Sequence, residues 1–197
     1  MKSFLFFSIF ASLFGCACRS GGALGNDITF SEEYFPKTWK SNATLNLAGI
    51  KMDCTVSITA EGVSRVLKLI SDKVVVEEEL YSLTTDGLIL TRIGPTPGES
   101  FEPGIPILKF PSSVGDSWTW SGKIKIGGRS IEAEAEIKTR SESVRFVSGQ
   151  ANPIVSEINL KLNDGSPTPA QRRLTIWVVK GEGPVKRDFG NQIREPR

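Results

Sequence analysis

Residues 117–138 read SWTWSGKIKIGGRSIEAEAEIK. Two arms of strict alternation flank Gly127-Gly128. A two-residue loop at those glycines places Trp118 opposite Ile137, Trp120 opposite Ala135, Gly122 opposite Ala133 and Ile124 opposite Ile131. All of these share one face. The other face pairs Thr119 with Glu136, Ser121 with Glu134 and Lys123 with Glu132. One register yields an apolar face and a charged face together, and a slip of one residue would destroy both. Small Ala133 and Ala135 leave room for the indole rings. The stretch therefore predicts an antiparallel hairpin that is packed on one side and wet on the other.

The same period of two extends outward in both directions. Met52, Cys54, Val56 and Ile58 alternate with Asp53, Thr55, Ser57 and Thr59. A turn at Glu61-Gly62 would set Val56 against Leu67 and Cys54 against Leu69. Asp86-Gly87 is expected to turn the run Val74–Thr84 into Leu88–Ile93, because this pair suits the left-handed backbone of a tight hairpin. Later strands are expected near Ser143–Val147, Ile154–Leu162, Arg172–Val179 and Val185–Phe189, with a turn at Asn163-Asp164-Gly165. Thr44–Lys51 reads better as strand than as helix, and no amphipathic helix of three turns appears. Gly94–Pro106, with four prolines and three glycines, reads as a long surface loop, either a plain crossover or the rim of a binding face. The fold class is all-β: a curved antiparallel sheet or half-barrel built largely from hairpins, with little helix.

Composition narrows the chemistry. Lys plus Arg number 24 and Asp plus Glu 22, so no basic surplus points to nucleic acid. Histidine is absent, which removes the commonest general base and metal ligand. Two carboxylate clusters stand out, Glu77-Glu78-Glu79 and Glu132 with Glu134 and Glu136. The second lies on one strand face among lysines, as a solvated surface would, rather than across a cleft as glycoside hydrolysis needs. The aspartates fall mostly at turns without metal-loop spacing, and no Gly-x-Ser-x-Gly elbow occurs. We expect no catalytic residues, no metal and no cofactor. A hydrolase ranks last among the functional readings.

The N-terminus says where the protein works. Lys2 precedes an apolar run from Phe4 to Phe14, too short to span a bilayer, which ends in Leu13-Phe14-Gly15-Cys16. This resembles the bacterial lipoprotein signal, ahead of an ordinary cleaved signal and of a retained anchor helix. The resemblance implies removal of residues 1–15, lipidation of Cys16 with acyl chains such as palmitate, and attachment to a membrane through that lipid. Residue 17 is Ala rather than Asp, which leans toward the outer membrane facing the periplasm. Residues 16–27 then form the lipidated end and a flexible tether, with Gly21-Gly22 and Gly25. A single domain is expected over 28–189 and a polar tail over 190–197. Cys54 either bridges to Cys18 or stays free and buried as a small hydrophobe.

Two segments carry a further likeness: Phe110-Pro111-x-x-Val114-Gly115-Asp116-x-Trp118-x-Trp120, and Trp177-Val178-Val179-Lys180-Gly181-Glu182-Gly183-Pro184-Val185-Lys186. Together they resemble a family of bacterial envelope lipoproteins labelled TapB-like, over most of residues 34–189. Glu142–Gln150 sits where that family has a V-P-A-G-T-F-like turn, but without its Pro and Thr. Tyr34–Trp39 looks like a shortened copy of the Phe110 segment. The resemblance implies a curved antiparallel sheet, akin in fold to the half-barrel of periplasmic lipoprotein carriers, and no stated activity. Gly181-x-Gly183-Pro184 lacks the following helix and Lys-Ser/Thr ending of a phosphate loop and reads as a sharp bend.

Two readings lead. In one, the sheet of a tethered, non-enzymatic envelope lipoprotein offers a binding or structural surface to another envelope protein. In the other, Trp118, Trp120, Ile124, Ile131 and Ile137 form a concave apolar face that carries a lipid or acyl chain. The four Trp rings are accordingly either core or the lining of a greasy cavity.

Overall fold

Extended, alternating segments leave every backbone N–H and C=O pointing sideways, so each must find a neighbouring strand. The computed structural model of the chain describes residues 33–94, 98–111, 113–146 and 149–197. The signal segment 1–15, Cys16, the tether 16–27, Cys18 and the expected domain start at Ile28 lie outside the described residues.

The strands are β1 (Trp39–Leu47), β2 (Ile50–Glu61), β3 (Ser64–Ser71), β4 (Val74–Thr84), β5 (Gly87–Ile93), β6 (Glu99–Lys109) and β7 (Ser117–Ile126). Then follow β8 (Arg129–Ser141), β9 (Val144–Phe146), β10 (Gly149–Ala151), β11 (Ile154–Asn163), β12 (Ala170–Val179), β13 (Gly183–Asp188) and β14 (Gln192–Pro196). Twelve close into one antiparallel barrel, ordered β1-β14-β13-β12-β11-β8-β7-β6-β5-β4-β3-β2. β9 and β10 pair only with each other, as a short ribbon on the connection from β8 to β11. The topology is a meander, the arrangement that short hairpin turns favour.

The β7–β8 hairpin has the register read from its sequence, from Ser117–Lys138 to Ile126–Arg129. Its apolar face points inward: Ile124 and Ile137 are buried, as are Ala133 and Ala135. Its charged face points to solvent. The β2–β3 pairing differs from expectation by two residues. Val56 faces Leu69 and Ile58 faces Leu67, with Gly62-Val63 in the turn. Gly62 has φ +61°, which suits the first corner of a two-residue hairpin loop, while Val63 is exposed at its tip. A shift of two preserves the faces, so the same residues enter the core. The β4–β5 turn likewise falls at Thr85-Asp86, with Gly87 already paired to Thr84. Gly87 is needed for another reason: a Cβ there would lie 2.0 Å from the Leu108 carbonyl oxygen.

Two expectations are corrected. Gly94–Pro106 is not all loop, because β6 takes in Pro103 and Pro106. The β6–β7 ladder runs only from Glu99–Ile126 to Glu102–Lys123. Beyond Glu102 the strand has no ladder on that side for a proline to interrupt. Pro95 to Pro97 lie outside the described residues. Residues 190–197 are not a free polar tail either. β14 pairs with β1 from Ala43–Pro196 to Leu47–Gln192 and with β13 at Arg187–Arg194 and Asp188–Ile193. This strand turns a half-barrel into a closed one.

Alternate residues of all twelve strands meet inside. Leu45, Ile58, Leu67, Leu88, Leu90 and Ile158 are among the fully buried side chains. The entry segment before β1 is packed at one end: Phe35 is buried with its ring 5.1 Å from that of Tyr81. The Gly181 N–H donates to the Glu33 carbonyl at 2.7 Å, which fixes that entry to the β12–β13 turn. Gly181 and Gly183 both have φ +83°, as the expected bend requires. Cys54 is a buried free thiol.

Candidate functional site

The apolar face expected to hold a lipid is part of the packed core. Ile124 and Ile137 are fully buried, Trp120 is buried, and Trp118 and Ile131 are half-buried. The two indoles do a particular job. Where the β6–β7 ladder stops, Trp120 Nε1–H donates to the Pro103 carbonyl at 3.0 Å and Trp118 Nε1–H to the Pro106 carbonyl at 2.9 Å. Side chains thus bridge a seam that backbone bonds leave open. Gly122 makes space for this. A Cβ there would lie 2.5 Å from the Glu102 carbonyl oxygen and 2.6 Å from the Trp120 ring. Lys109 Nζ lies 5.7 Å from the Trp118 ring centre, a cation over an aromatic face.

The Glu77-Glu78-Glu79 run divides by strand alternation. Glu78 points outward and pairs with Lys68 and Arg92. Glu77 and Glu79 point inward and are buried. Across the barrel, Arg187 of β13 pairs with Glu77, and its Nε lies 2.7 Å from Glu79 Oε1. Arg194 of β14 is 3.3 Å from the same Glu79 oxygen and donates to the Pro184 and Val185 carbonyls at 2.7 and 3.0 Å. Tyr81 donates to Glu79 Oε2 at 2.5 Å. Burial pushes the Glu77 carboxyl above its ordinary range, against the pull of Arg187. Burial also holds the Tyr81 phenol well above its usual value. Each carboxylate faces a guanidinium, so the cluster cross-links opposite walls and presents no carboxyl pair to a substrate.

The outer face of β7, β8, β11 and β12 holds a hollow of about 730 Å³. Two cross-strand rungs line it. One runs Thr119, Glu136, Asn159, Arg173, and the other runs Ser121, Glu134, Lys161, Gln171. In the first rung Glu136 turns aside to Lys138 at 2.9 Å and Arg173 to Glu157 at 2.7 Å. In the second rung, Glu134 and Lys161 are directly opposed in register, yet neither makes an ion pair or hydrogen bond among the described residues. The next charged pair on this face, Lys123 with Glu132, is closed at 3.1 Å.

No known family, curated protein or solved structure matches this chain.

The functional content must therefore come from the site itself. Among the described residues no three His, Cys, Asp or Glu side chains gather as a metal site. No helix among them is long and apolar enough to cross a membrane. The hollow was half legible beforehand. The β7–β8 half followed from the hairpin register, whereas the β11–β12 half needed the jump from β8 to β11 across the β9–β10 ribbon, which no local pattern signals. Asn159, Lys161, Gln171 and Arg173 were missed for that reason.

Proposed function

We propose that this chain is a lipid-anchored protein of the bacterial cell envelope, fixed through Cys16 and facing the periplasm from the outer membrane. Its barrel acts by binding, without catalysis. The observation that carries the anchor is Leu13-Phe14-Gly15-Cys16 at the end of a short apolar run. The barrel supports it by its outward chemistry. Lys123, Glu132, Glu134 and Glu136 are exposed along β7 and β8. Charges there would cost about 2–4 kcal/mol each for cations at the middle of a bilayer, so a lipid is the economical means of attachment. Membership of the TapB-like lipoprotein family belongs to the same proposal.

The acyl-chain carrier has less behind it, since Trp120, Ile124 and Ile137 are occupied with core contacts. The polar hollow on the outer face favours a binding module instead.

The test is the full-length chain expressed in bacteria, with Cys16→Ala beside it. We expect the wild type in the membrane fraction, with a diacylglyceryl mass on the tryptic peptide that starts at Cys16. We expect Cys16→Ala to lose both. A wild-type peptide without lipid, or retention of Cys16→Ala in washed membranes, would sink the anchor.

A further inference from the structure

A barrel wall is convex outside, so a hollow there is a departure that needs an explanation. This one combines a concave floor of about 730 Å³ with a fixed order of charge. Crossing the strands from β7 to β12, the rungs present hydroxyls (Thr119, Ser121) and then carboxylates (Glu136, Glu134). Amide and ammonium follow (Asn159, Lys161), and then guanidinium and amide (Arg173, Gln171). Neighbouring strands are about 4.8 Å apart, so the carboxylate row lies about 5 Å from the ammonium row and about 10 Å from the guanidinium row. Opposite charges directly across an antiparallel pair ordinarily attract each other. Glu134 and Lys161 do not close on each other, while Lys123–Glu132 on the same face does. Both are exposed, so each keeps its full capacity for an outside partner.

We propose that this hollow is a docking site for an extended polypeptide segment of another protein. The segment crosses the strands with a cationic side chain over Glu134 and Glu136 and an anionic one over Lys161 and Arg173. An extended chain rises about 3.3 Å per residue and turns alternate side chains to one face, so charges two positions apart lie on the same face about 7 Å apart and reach from the carboxylate row to the cationic rows. Thr119, Ser121, Asn159 and Gln171 offer donors and acceptors to the backbone between them. No exposed aromatic ring forms a stacking platform in the lining, and the charge order matches a zwitterionic chain better than a neutral glycan. This inference rests on reading the barrel as a binding module, and not on the anchor.

The test uses the full-length chain in lipid nanodiscs. The probe is a capped, fluorescent peptide, Lys-Ala-Glu, coupled by a carbodiimide that joins only touching amines and carboxylates. The expected products are the peptide amine on Glu134 or Glu136 and the peptide carboxylate on Lys161. Glu134→Gln and Lys161→Met should each weaken probe binding about three- to fivefold, the range for an exposed ion pair, and salt should weaken it further. Both side chains are exposed, so neither change threatens the fold. Coupling spread evenly over outward carboxylates such as Glu132 and Glu195, or binding unchanged in both variants, would overturn the proposal. Blockade of the coupling by chitotriose, an uncharged saccharide, would assign the hollow to a glycan and overturn it equally. The lipid mass at Cys16 is read from a different peptide of the same sample. Anchor failure and docking failure are thus told apart.

Discussion

Glu77 and Glu79 are successive inward positions of β4, and each charge is met from the far wall by Arg187 or Arg194. Such a cluster contributes less than its contacts suggest, because removing charges from water costs several kcal/mol per ion before any pairing is counted. Glu77 shows the balance. Burial is the largest influence on it and outweighs Arg187, so its folded pKa lies above the ordinary 4.5. The folded protein then holds this proton more tightly than the unfolded chain does. The resulting stability is complete below pH 4.5 and is lost as pH rises through the folded pKa. Glu77→Gln removes that dependence. In thermal melts from pH 4 to pH 8, the advantage of wild type over Glu77→Gln should shrink as pH rises, by about 1.4 kcal/mol for each pH unit between the two pKa values. An advantage that grows with pH would mean that Arg187 wins over burial. Glu157 runs the other way. Its bond from Arg140 at 2.8 Å lowers its pKa, so its contribution is lost as pH falls.

At the scale of elements, the β6–β7 seam is where the wall depends on side chains. The β7–β8 ladder has ten register pairs and the β6–β7 ladder four. Trp120→Phe keeps a ring in the core but loses the bond to Pro103. One hydrogen bond contributes about 1 kcal/mol, so a loss of about that size is expected in urea unfolding. Hydrogen exchange should speed up in Ile105–Lys109 and Ser117–Trp120, and not along β8 or β11. Equal acceleration in β8 would show that the ring rather than the bond had mattered. This seam also explains which strands were legible. β7 and β8 alternate without exception, so turn and faces fix each other. β6 was hidden by Pro103 and Pro106, which rule out a strand laddered on both sides but not one that is free on one side. The hairpin loops at Gly62 and Asp86 were displaced because a two-residue turn can be drawn at either of two places around one glycine. Packing decided between them, through Leu108 in the case of Gly87.

For the whole molecule the decisive strand is the last. Gln192-Ile193-Arg194-Glu195-Pro196 has no apolar alternation, and its one fully buried side chain is a guanidinium. A sequence reading sends such a segment to solvent, because charge normally stays there. The distant carboxylate of Glu79 supplies the charge that Arg194 meets inside, and nothing local announces a partner 115 positions away. Closure has two separable parts: the ladder to β1 and the ion pair. Deleting Gly190–Arg197 removes both. It exposes β1 and β13 as edges and leaves Glu79 with Arg187 and Tyr81. Arg194→Met removes the ion pair and the two bonds to the Pro184 and Val185 carbonyls but leaves the ladder in place. We expect the deletion to abolish a single cooperative urea transition and to promote aggregation. Arg194→Met should remain a folded barrel, destabilised by about 3–5 kcal/mol, the range for breaking a buried pair. If both proteins unfold with one sharp transition at the same urea concentration, closure depends on the charge and not on the strand. If the deletion matches wild type, β14 does not close the barrel in solution, and the domain is the half-barrel that its apolar alternation suggests.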